Sequence, residues 1–175
     1  YRYVVHLGLG IAGPVILGQR KRHGIDTAAG ISSNVMDFNV IAQEIIVVVS
    51  PEPTAITDAY ALMKVLALKY AEKNCQVIVN LVSTAQQGIE VFRQLNLVTE
   101  RFLDMRIDYV GSVLFDNNVT NGIKQQRLVS DLFPETRASK CFQDLAGKII
   151  AQPPTLMPKG DSHFFWHHLI ENHIL

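Results

Sequence analysis

Three glycines near the start of the chain have the spacing of a nucleotide-binding loop. Gly8, Gly10 and Gly13 form the pattern G-x-G-x-x-G directly after a short apolar run, and a dinucleotide-binding turn needs this spacing to lead onto a helix N-terminus. However, Pro14 follows at once, the basic stretch 20–24 interrupts any helix, and no acidic residue stands at a strand end about 20 positions further on. We therefore interpret these glycines as a connection between elements rather than as a cofactor loop.

Other side chains with metal-binding or nucleophilic chemistry do not form a recognisable site. His163, His167 and Glu171 recur every four residues, a spacing that can place metal ligands on one helical face. The chain has no H-E-x-x-H sequence and no obvious fourth ligand, so the spacing alone does not predict a metal site. Cys75 and Cys141 stand far apart without a C-x-x-C pair, and we expect both to be packing residues. The chain also lacks G-x-S-x-G, Gly-Lys-Ser and Gly-Lys-Thr sequences.

The composition is that of a globular protein with a hydrophobic core. Of the 175 residues, 48% are hydrophobic and 18% are charged, with 16 basic and 16 acidic residues. Because a neutral chain has no broad electrostatic attraction for nucleic acid, we expect no direct nucleic-acid partner. Two cysteines without a disulfide framework are typical of a reducing compartment, which predicts a cytoplasmic location. No apolar run reaches the roughly 20 residues of a membrane-spanning helix.

The elements that must position any functional residue alternate along the chain. Apolar, β-branched runs predict strands at 45–49, 76–80 and 109–114. Amphipathic segments predict four helices between and after these strands. The first is capped by Thr54 and has Asp58 in its first turn, and the second follows the capping box 84–87 with Leu95 and Phe102 on its apolar side. A short helix is predicted near 119–125 and a longer one at about 137–151. This alternation predicts an α/β fold with a mostly parallel sheet flanked by helices.

From Ile25 onward, a set of segments occurs in the order found in one family of nucleotide-dependent proteins. They read IDTAAGIS at 25–32, VVSPEPTAITDAYA at 48–61, VIVN at 77–80, VGSVLFD at 110–116 and FPETRAS at 133–139. The set resembles the second half of the MinD/ParA-type P-loop ATPases, and most closely their flagellar-number regulators of the FlhG/FleN type. The first segment is similar to the family's switch segment, and the fourth to its G-x-I-P-x-D strand end, with Leu114 where proline is usual.

The resemblance implies roles for five residues. Asp26 would be the catalytic carboxylate and the Mg²⁺ ligand, Thr27 and Gly30 would approach the terminal phosphate, Asn80 would read adenine, and Asp116 would be a further cofactor contact. The chemistry suits these roles, because a carboxylate can hold the waters around Mg²⁺ and an amide offers both a donor and an acceptor to adenine. The alternatives are a helix cap or turn for the first residue, a strand-end cap for the asparagine and an Asx-turn for the last aspartate.

The resemblance further implies ATP and Mg²⁺ as cofactors, a homodimer in the complete protein, and flagellar assembly proteins or a transcription regulator as partners. In the family, a Gly-rich P-loop with two lysines lies well before the switch segment, whereas only 25 residues precede Asp26 here and none of them match. We therefore expect this chain to be the C-terminal part of such an ATPase and to be inactive alone, since nothing neutralises the triphosphate. The alternative is a protein-binding module or degenerate relative that has lost nucleotide turnover.

The predicted organisation has four parts. An unmatched segment at 1–24 precedes the MinD-like part at 25–151, which is followed by a Pro-rich linker at 152–160 and an amphipathic tail at 161–175. The resemblance implies that such a tail makes peripheral contact with the inner face of the cell membrane. Because the tail contains no Lys or Arg, which anionic lipid attracts, we favour packing of this segment onto the body.

Overall fold

A computed structural model of the chain describes residues 2–7, 22–27 and 44–152, with side chains described for residues 44–152. The chain divides into two compact units, and residues 46–152 form one of them. The predicted glycine pattern at 8–13, the linker from 153 onward and the tail at 161–175 lie outside the described residues.

The other unit contains two short strands. β1 (Arg2–Leu7) and β2 (Arg22–Thr27) pair in parallel, with Arg2 opposite Arg22 and Leu7 opposite Thr27. A parallel pair requires a crossover between its strands, which agrees with the α/β class predicted from the sequence. Asp26 and Thr27 are the last two residues of β2.

The larger unit is built on a three-stranded parallel sheet with intervening helices. Its elements are β3 (Glu44–Val49), α1 (Pro53–Tyr70), β4 (Asn74–Val82), α2 (Ala85–Leu103), β5 (Arg106–Leu114), α3 (Asn117–Lys124), α4 (Val129–Leu132) and α5 (Arg137–Ala151). β4 pairs in parallel with both β3 and β5. The three strands predicted from apolar runs and their parallel pairing are therefore confirmed.

The core forms where the sheet meets the helices. Its large, fully buried side chains come from the sheet and from α1 and α2, and include Val47, Val77, Val79, Met63 and Leu95. Neighbouring residues of a strand point to opposite faces of a sheet. The helices that contact the adjacent residues Gly111 and Ser112 of β5 therefore lie on opposite faces of that strand. A Cβ on Gly88 of α2 would be 2.9 Å from the Cβ of Ser112, whereas a Cβ on Gly111 would be 2.9 Å from Leu145 of α5. α2 and α5 thus cover opposite faces of β5.

The ends of the helices agree with the sequence in part. The Thr84 hydroxyl accepts a hydrogen bond from the backbone N–H of Gln87 at 3.2 Å, and the Gln87 side chain accepts one from the N–H of Ser83 at 2.8 Å. The predicted cap at Thr84 is therefore confirmed, but the return bond of Gln87 goes to Ser83, the residue before the cap, and not to Thr84 as in a capping box. The prediction for α1 was wrong, because the helix begins two residues earlier than a Thr54 cap implies, at Pro53, and Glu52 is its N-cap. Proline suits the first helical position since its missing N–H would be unpaired there, so Thr54 lies inside the helix.

Two further sequence predictions need correction. Asp58 lies beyond the first turn of α1, which contains no acidic residue, because the helix starts at Pro53. Phe102 was expected on the apolar side of α2, yet it is 63% exposed, and Leu103 takes the buried position at this helix end. The Phe102 ring instead contacts the guanidinium of Arg101, which lies 5.4 Å from the ring centroid.

Two bulges interrupt the pairing of β4 with β5. Val77 pairs with Tyr109 but Ile78 pairs with Gly111, so Val110 is an extra residue in β5. The Lys148 ammonium of α5 donates a hydrogen bond of 2.9 Å to the carbonyl oxygen of Val110. A bulge leaves its extra residue without a regular ladder partner, and this lysine supplies a substitute donor from the neighbouring helix.

Candidate functional site

The phosphate and magnesium side of the predicted site falls mostly outside the described side chains. Asp26 and Thr27 are placed by their backbone at the carboxyl end of β2, while Gly30 lies outside the described residues. Ligands of open α/β sheets bind at the carboxyl ends of parallel strands, so the strand end is where the sequence predicted a site. The catalytic role of Asp26 and its Mg²⁺ contact stay predictions.

Asn80 lies in the second bulge, near the carboxyl end of β4. Val79 pairs with Ser112 and Val82 with Leu114, so β4 carries one extra residue in the segment 80–81. The Asn80 side-chain oxygen accepts a hydrogen bond of 2.9 Å from the backbone N–H of Leu81. Among the described residues, the Asn80 side-chain nitrogen makes no hydrogen bond, so its two N–H donors remain available to a ligand.

The residue after Asn80 has a strained backbone. Leu81 has φ = 60°, the left-handed region that glycine adopts readily and that is an outlier for a bulky residue. Its side chain is also 45% exposed, so burial of the side chain does not explain the conformation. Such strain persists where surrounding structure imposes it, and it is frequent at binding sites. The bulge, the Asn80 cap and this conformation together fix where the amide of Asn80 stands.

Asp116 uses both carboxylate oxygens to hold two helices. Oδ1 accepts hydrogen bonds of 2.9 Å from the backbone N–H and from the side-chain N–H of Asn118, at the start of α3. Oδ2 accepts a bond of 3.3 Å from the backbone N–H of Ala138, at the start of α5. These contacts confirm the Asx-turn that the sequence offered as the alternative to a cofactor contact, and they add a link between helices that are distant in sequence.

The same contacts account for the acidity of Asp116. The backbone N–H of Asn118 lowers the pKa of this carboxyl below its ordinary value of 3.8, and the N–H of Ala138 and the charge of Arg137 act in the same direction, against the opposing effect of burial. Carboxylates at helix N-termini are stabilised in this way, because unpaired N–H groups and the helix dipole favour the charged form. The carboxylate is therefore charged at neutral pH.

Asn80 and Asp116 lie at one edge of the three-stranded sheet. The backbone N–H of Phe115 donates a hydrogen bond of 2.8 Å to the carbonyl oxygen of Val82, which ties the ends of β4 and β5 together. The same edge exposes the ring of Phe115, which is 55% accessible to solvent. Phe115 was not among the predicted site residues. Its position beside the asparagine strand end is the signal that could have found it, since an exposed ring offers a stacking surface to a planar base.

The described residues fit the base of a nucleotide better than its phosphates. The Asn80 donors and the exposed Phe115 ring match the chemistry of adenine. Within the part of the chain that the structure describes, no group of three His, Cys, Asp or Glu side chains could hold a metal ion. The predicted Mg²⁺ ligand is Asp26, whose side chain is not described. Over the same described residues, no helix combines the length and hydropathy needed to cross a bilayer.

Comparison with curated proteins identifies two relatives that are named as regulatory or site-determining proteins. The chain is 39% identical over 148 residues to the antiactivator FleN of Pseudomonas aeruginosa, a match that covers 85% of this chain and 53% of FleN. It is 24% identical over 132 residues to the flagellum site-determining protein YlxH of Helicobacter pylori, which covers 75% of this chain and 44% of YlxH. The chain spans about half the length of these relatives. No protein-family model matches it.

Comparison with solved structures supports the fold. The MinD cell division protein of Aquifex aeolicus aligns with a TM-score of 0.57 at 22% identity, over 80% of this chain and 57% of that protein. MinD of Pyrococcus horikoshii in complex with Mg-ADP aligns with a TM-score of 0.57 at 20% identity, over 77% and 52% of the two chains. The parallel sheet flanked by helices is thus the fold of part of MinD.

Proposed function

Since the chain is a partial match to the MinD/ParA-type flagellar-number regulators, we propose that it is the C-terminal part of an ATP-binding regulator of flagellar number or placement. The observation that carries this proposal is the 39% identity to FleN over 148 residues. The complete protein would act as a homodimer in the cytoplasm, with flagellar assembly proteins or a transcription regulator as partners. Peripheral contact with the inner face of the membrane through residues 161–175 belongs to the same proposal.

In this proposal each residue keeps the role that the resemblance implies. Asn80 donates to adenine through its side-chain nitrogen, and Thr27 and Gly30 approach the terminal phosphate. Asp26 holds Mg²⁺, which would neutralise phosphate charge when bound. Asp116 contributes at the base side of the site, where its hydrogen bonds to Asn118 and Ala138 hold the end of β5 in place.

We further propose that the 175-residue polypeptide does not turn over ATP by itself. It contains no Gly-Lys-Ser or Gly-Lys-Thr sequence, and phosphoryl transfer depends on cations and amides that stabilise the charge of the transition state. Isothermal titration with Mg-ATP should give a Kd of about 1 mM or weaker, since base contacts alone supply little binding free energy. Phosphate release should equal that of buffer. Micromolar binding, or hydrolysis that Asp26→Ala abolishes, would contradict this proposal.

The adenine role of Asn80 has its own test. Asn80→Asp keeps an oxygen for the N–H of Leu81 but replaces the amide donors, whereas Asn80→Ala removes both. We expect the aspartate variant to keep the free energy of unfolding within about 0.5 kcal/mol of the parent. We also expect it to lose the adenine-dependent shifts seen in a nuclear magnetic resonance titration with millimolar ATP. Unchanged shifts in the aspartate variant would show that the asparagine is only a strand-end cap.

The second candidate is a non-enzymatic, protein-binding relative. The apolar outward face of α1, described below, favours a binding role that needs no nucleotide. Sequencing the DNA upstream of the Tyr1 codon separates the two candidates. A Gly-rich loop with two lysines in the same reading frame supports the ATPase, and its absence from every upstream frame supports the binding module.

A further inference from the structure

Helix α1 differs from its neighbours in what it presents to solvent. α2 and α5 carry charged residues along their exposed faces, among them Glu90, Arg93, Glu100, Lys140 and Asp144. α1 buries Ala59, Leu62, Met63, Leu66 and Ala67 on one side, yet its opposite side is also largely uncharged. A helix that is apolar on all sides is normally covered on all sides, and within the described part of the chain the outward side of α1 is not.

The uncharged outward side forms a continuous row. Ala61, Val65 and Leu68 follow each other at i, i+4 and i+7, so they share one face; we call these three residues the outer stripe. Leu68 is 69% exposed and is the most exposed large hydrophobic residue among those described. One turn earlier, the Thr57 hydroxyl donates a hydrogen bond of 2.9 Å to the carbonyl oxygen of Pro53. This bond satisfies the only polar group of that side chain and extends the apolar character of the face.

Lysines border the second half of the outer stripe, formed by Val65 and Leu68. Lys64 and Lys69 lie on either side of these two residues, whereas Asp58, the only acidic residue of α1, lies one turn before Ala61. Lys69 is held at the helix end by its ammonium, which lies 5.4 Å from the centroid of the Tyr70 ring. An apolar row bordered by two ammonium groups complements a helix with apolar residues on one face and carboxylates beside them, because charge matching orients such contacts.

We propose that the outer stripe of α1 docks an acidic amphipathic helix of a partner protein. The contact needs no nucleotide and uses residues outside the edge where Asn80 and Asp116 lie, so it stands apart from the proposed ATP role. Seven residues of helix span about 10 Å, which suits two turns of a partner helix laid along α1. Leu68 inserts between the partner's apolar side chains, while Lys64 and Lys69 pair with its carboxylates.

A membrane surface and a second copy of the chain are the competing occupants. The outer stripe contains no aromatic residue, and membrane-surface helices typically anchor through Trp, Phe and Leu beside several basic residues. A second copy would place Lys64 and Lys69 of each chain near the same residues of the other in an isologous contact, which like-charge repulsion opposes. Both remain measurable outcomes of the experiment below.

The experiment uses the 175-residue chain and a fluorescein-labelled, 18-residue helical peptide with leucines on one face and glutamates beside them. Fluorescence anisotropy should give saturable binding that weakens at least fivefold between 50 and 500 mM salt, since the charges are solvent-exposed. Leu68→Asp should weaken binding at least tenfold, and Leu68→Ala about fivefold. The matched control is Leu97→Asp on α2, because Leu97 is 65% exposed; it should change binding less than twofold.

Charge reversal tests the borders of the outer stripe. Lys64→Glu with Lys69→Glu should abolish binding, whereas Lys124→Glu on α3 should leave it unchanged. A peptide with lysine in place of each glutamate should not bind. Equal binding of the two peptides, no saturation up to 1 mM, or equal losses with Leu68→Asp and Leu97→Asp would overturn the proposal. The proposal would also be overturned if the chain self-associated in sedimentation, or bound phosphatidylglycerol vesicles, and Leu68→Asp removed that association or binding.

Discussion

Gly88→Ala should lower the free energy of unfolding by up to about 2 kcal/mol, although alanine is the better helix former. The gain in helix propensity is about 1 kcal/mol, but overpacking a core typically costs about 1–3 kcal/mol. A Cβ at this position would lie 2.8 Å from the Tyr109 hydroxyl oxygen and 2.9 Å from the Cβ of Ser112. The tyrosine ring is already packed against Phe92, with ring centroids 5.2 Å apart, so α2 would have to move away from β5.

The matched control is Gly147→Ala on α5. A Cβ there would have no atom within 4 Å apart from its chain neighbours and the backbone of its own helix, so only the propensity changes and stability should rise by about 0.5–1 kcal/mol. Urea denaturation followed by circular dichroism measures both variants, and the midpoints should move in opposite directions with similar slopes. If Gly88→Ala stabilised the protein as much as Gly147→Ala, the close approach of α2 to β5 would be refuted.

The sheet was predictable from the sequence because its strands are short apolar runs between turn residues. Ile45 to Val49 and Val77 to Val79 are buried almost throughout, and strands covered on both faces have this composition. The cap at Thr84 was also predictable, since its residues are close in sequence and need no tertiary context. Local signals of this kind survive folding when the tertiary structure agrees with them.

Predictions failed where tertiary structure or neighbouring residues decide between local options. Thr54 is a good capping residue, but Pro53 already occupies the first turn of α1, so the helix starts earlier. Phe102 follows the helical period, but Leu103 fills the core position at that end. The two bulges of β4 and β5 leave no sequence pattern, because each depends on how one strand pairs with the other.

The candidate site could be predicted by residue type but not by the contacts of each residue. Asn80 was selected as an amide at a strand end, and the structure adds the bulge and the strained Leu81 that fix its position. Asp116 was selected from the same resemblance. Its bond to Ala138 could not be predicted in this way, because it joins positions 22 residues apart. Contacts across that separation are set by the packing of α5, which a sequence motif does not encode.

Asp116→Ala should lower the free energy of unfolding by about 1–4 kcal/mol, since removing one helix cap costs about 0.5–2 kcal/mol and this carboxylate serves two helices. Asp116→Asn separates the two contributions. Its side-chain oxygen can still accept from the N–H of Asn118, but its amide nitrogen would face the N–H of Ala138, which is also a donor. We expect the asparagine variant to lose about half of the effect. Asp144→Asn, an exposed position on α5, is the control and should change stability by less than about 0.5 kcal/mol.

The stabilisation by the Asp116 carboxylate should depend on pH. The pKa of Asp116 is lower in the folded protein than its ordinary value of 3.8, so the folded state favours the charged carboxylate. Its stabilisation is fully present above the ordinary value and is lost as the pH falls through the lowered pKa. The difference in stability between the parent and Asp116→Asn should therefore be constant from pH 7 to about 5 and shrink below about pH 4. A difference that stayed constant in acid would mean that the N–H groups of Asn118 and Ala138 do not depend on the charge of Asp116.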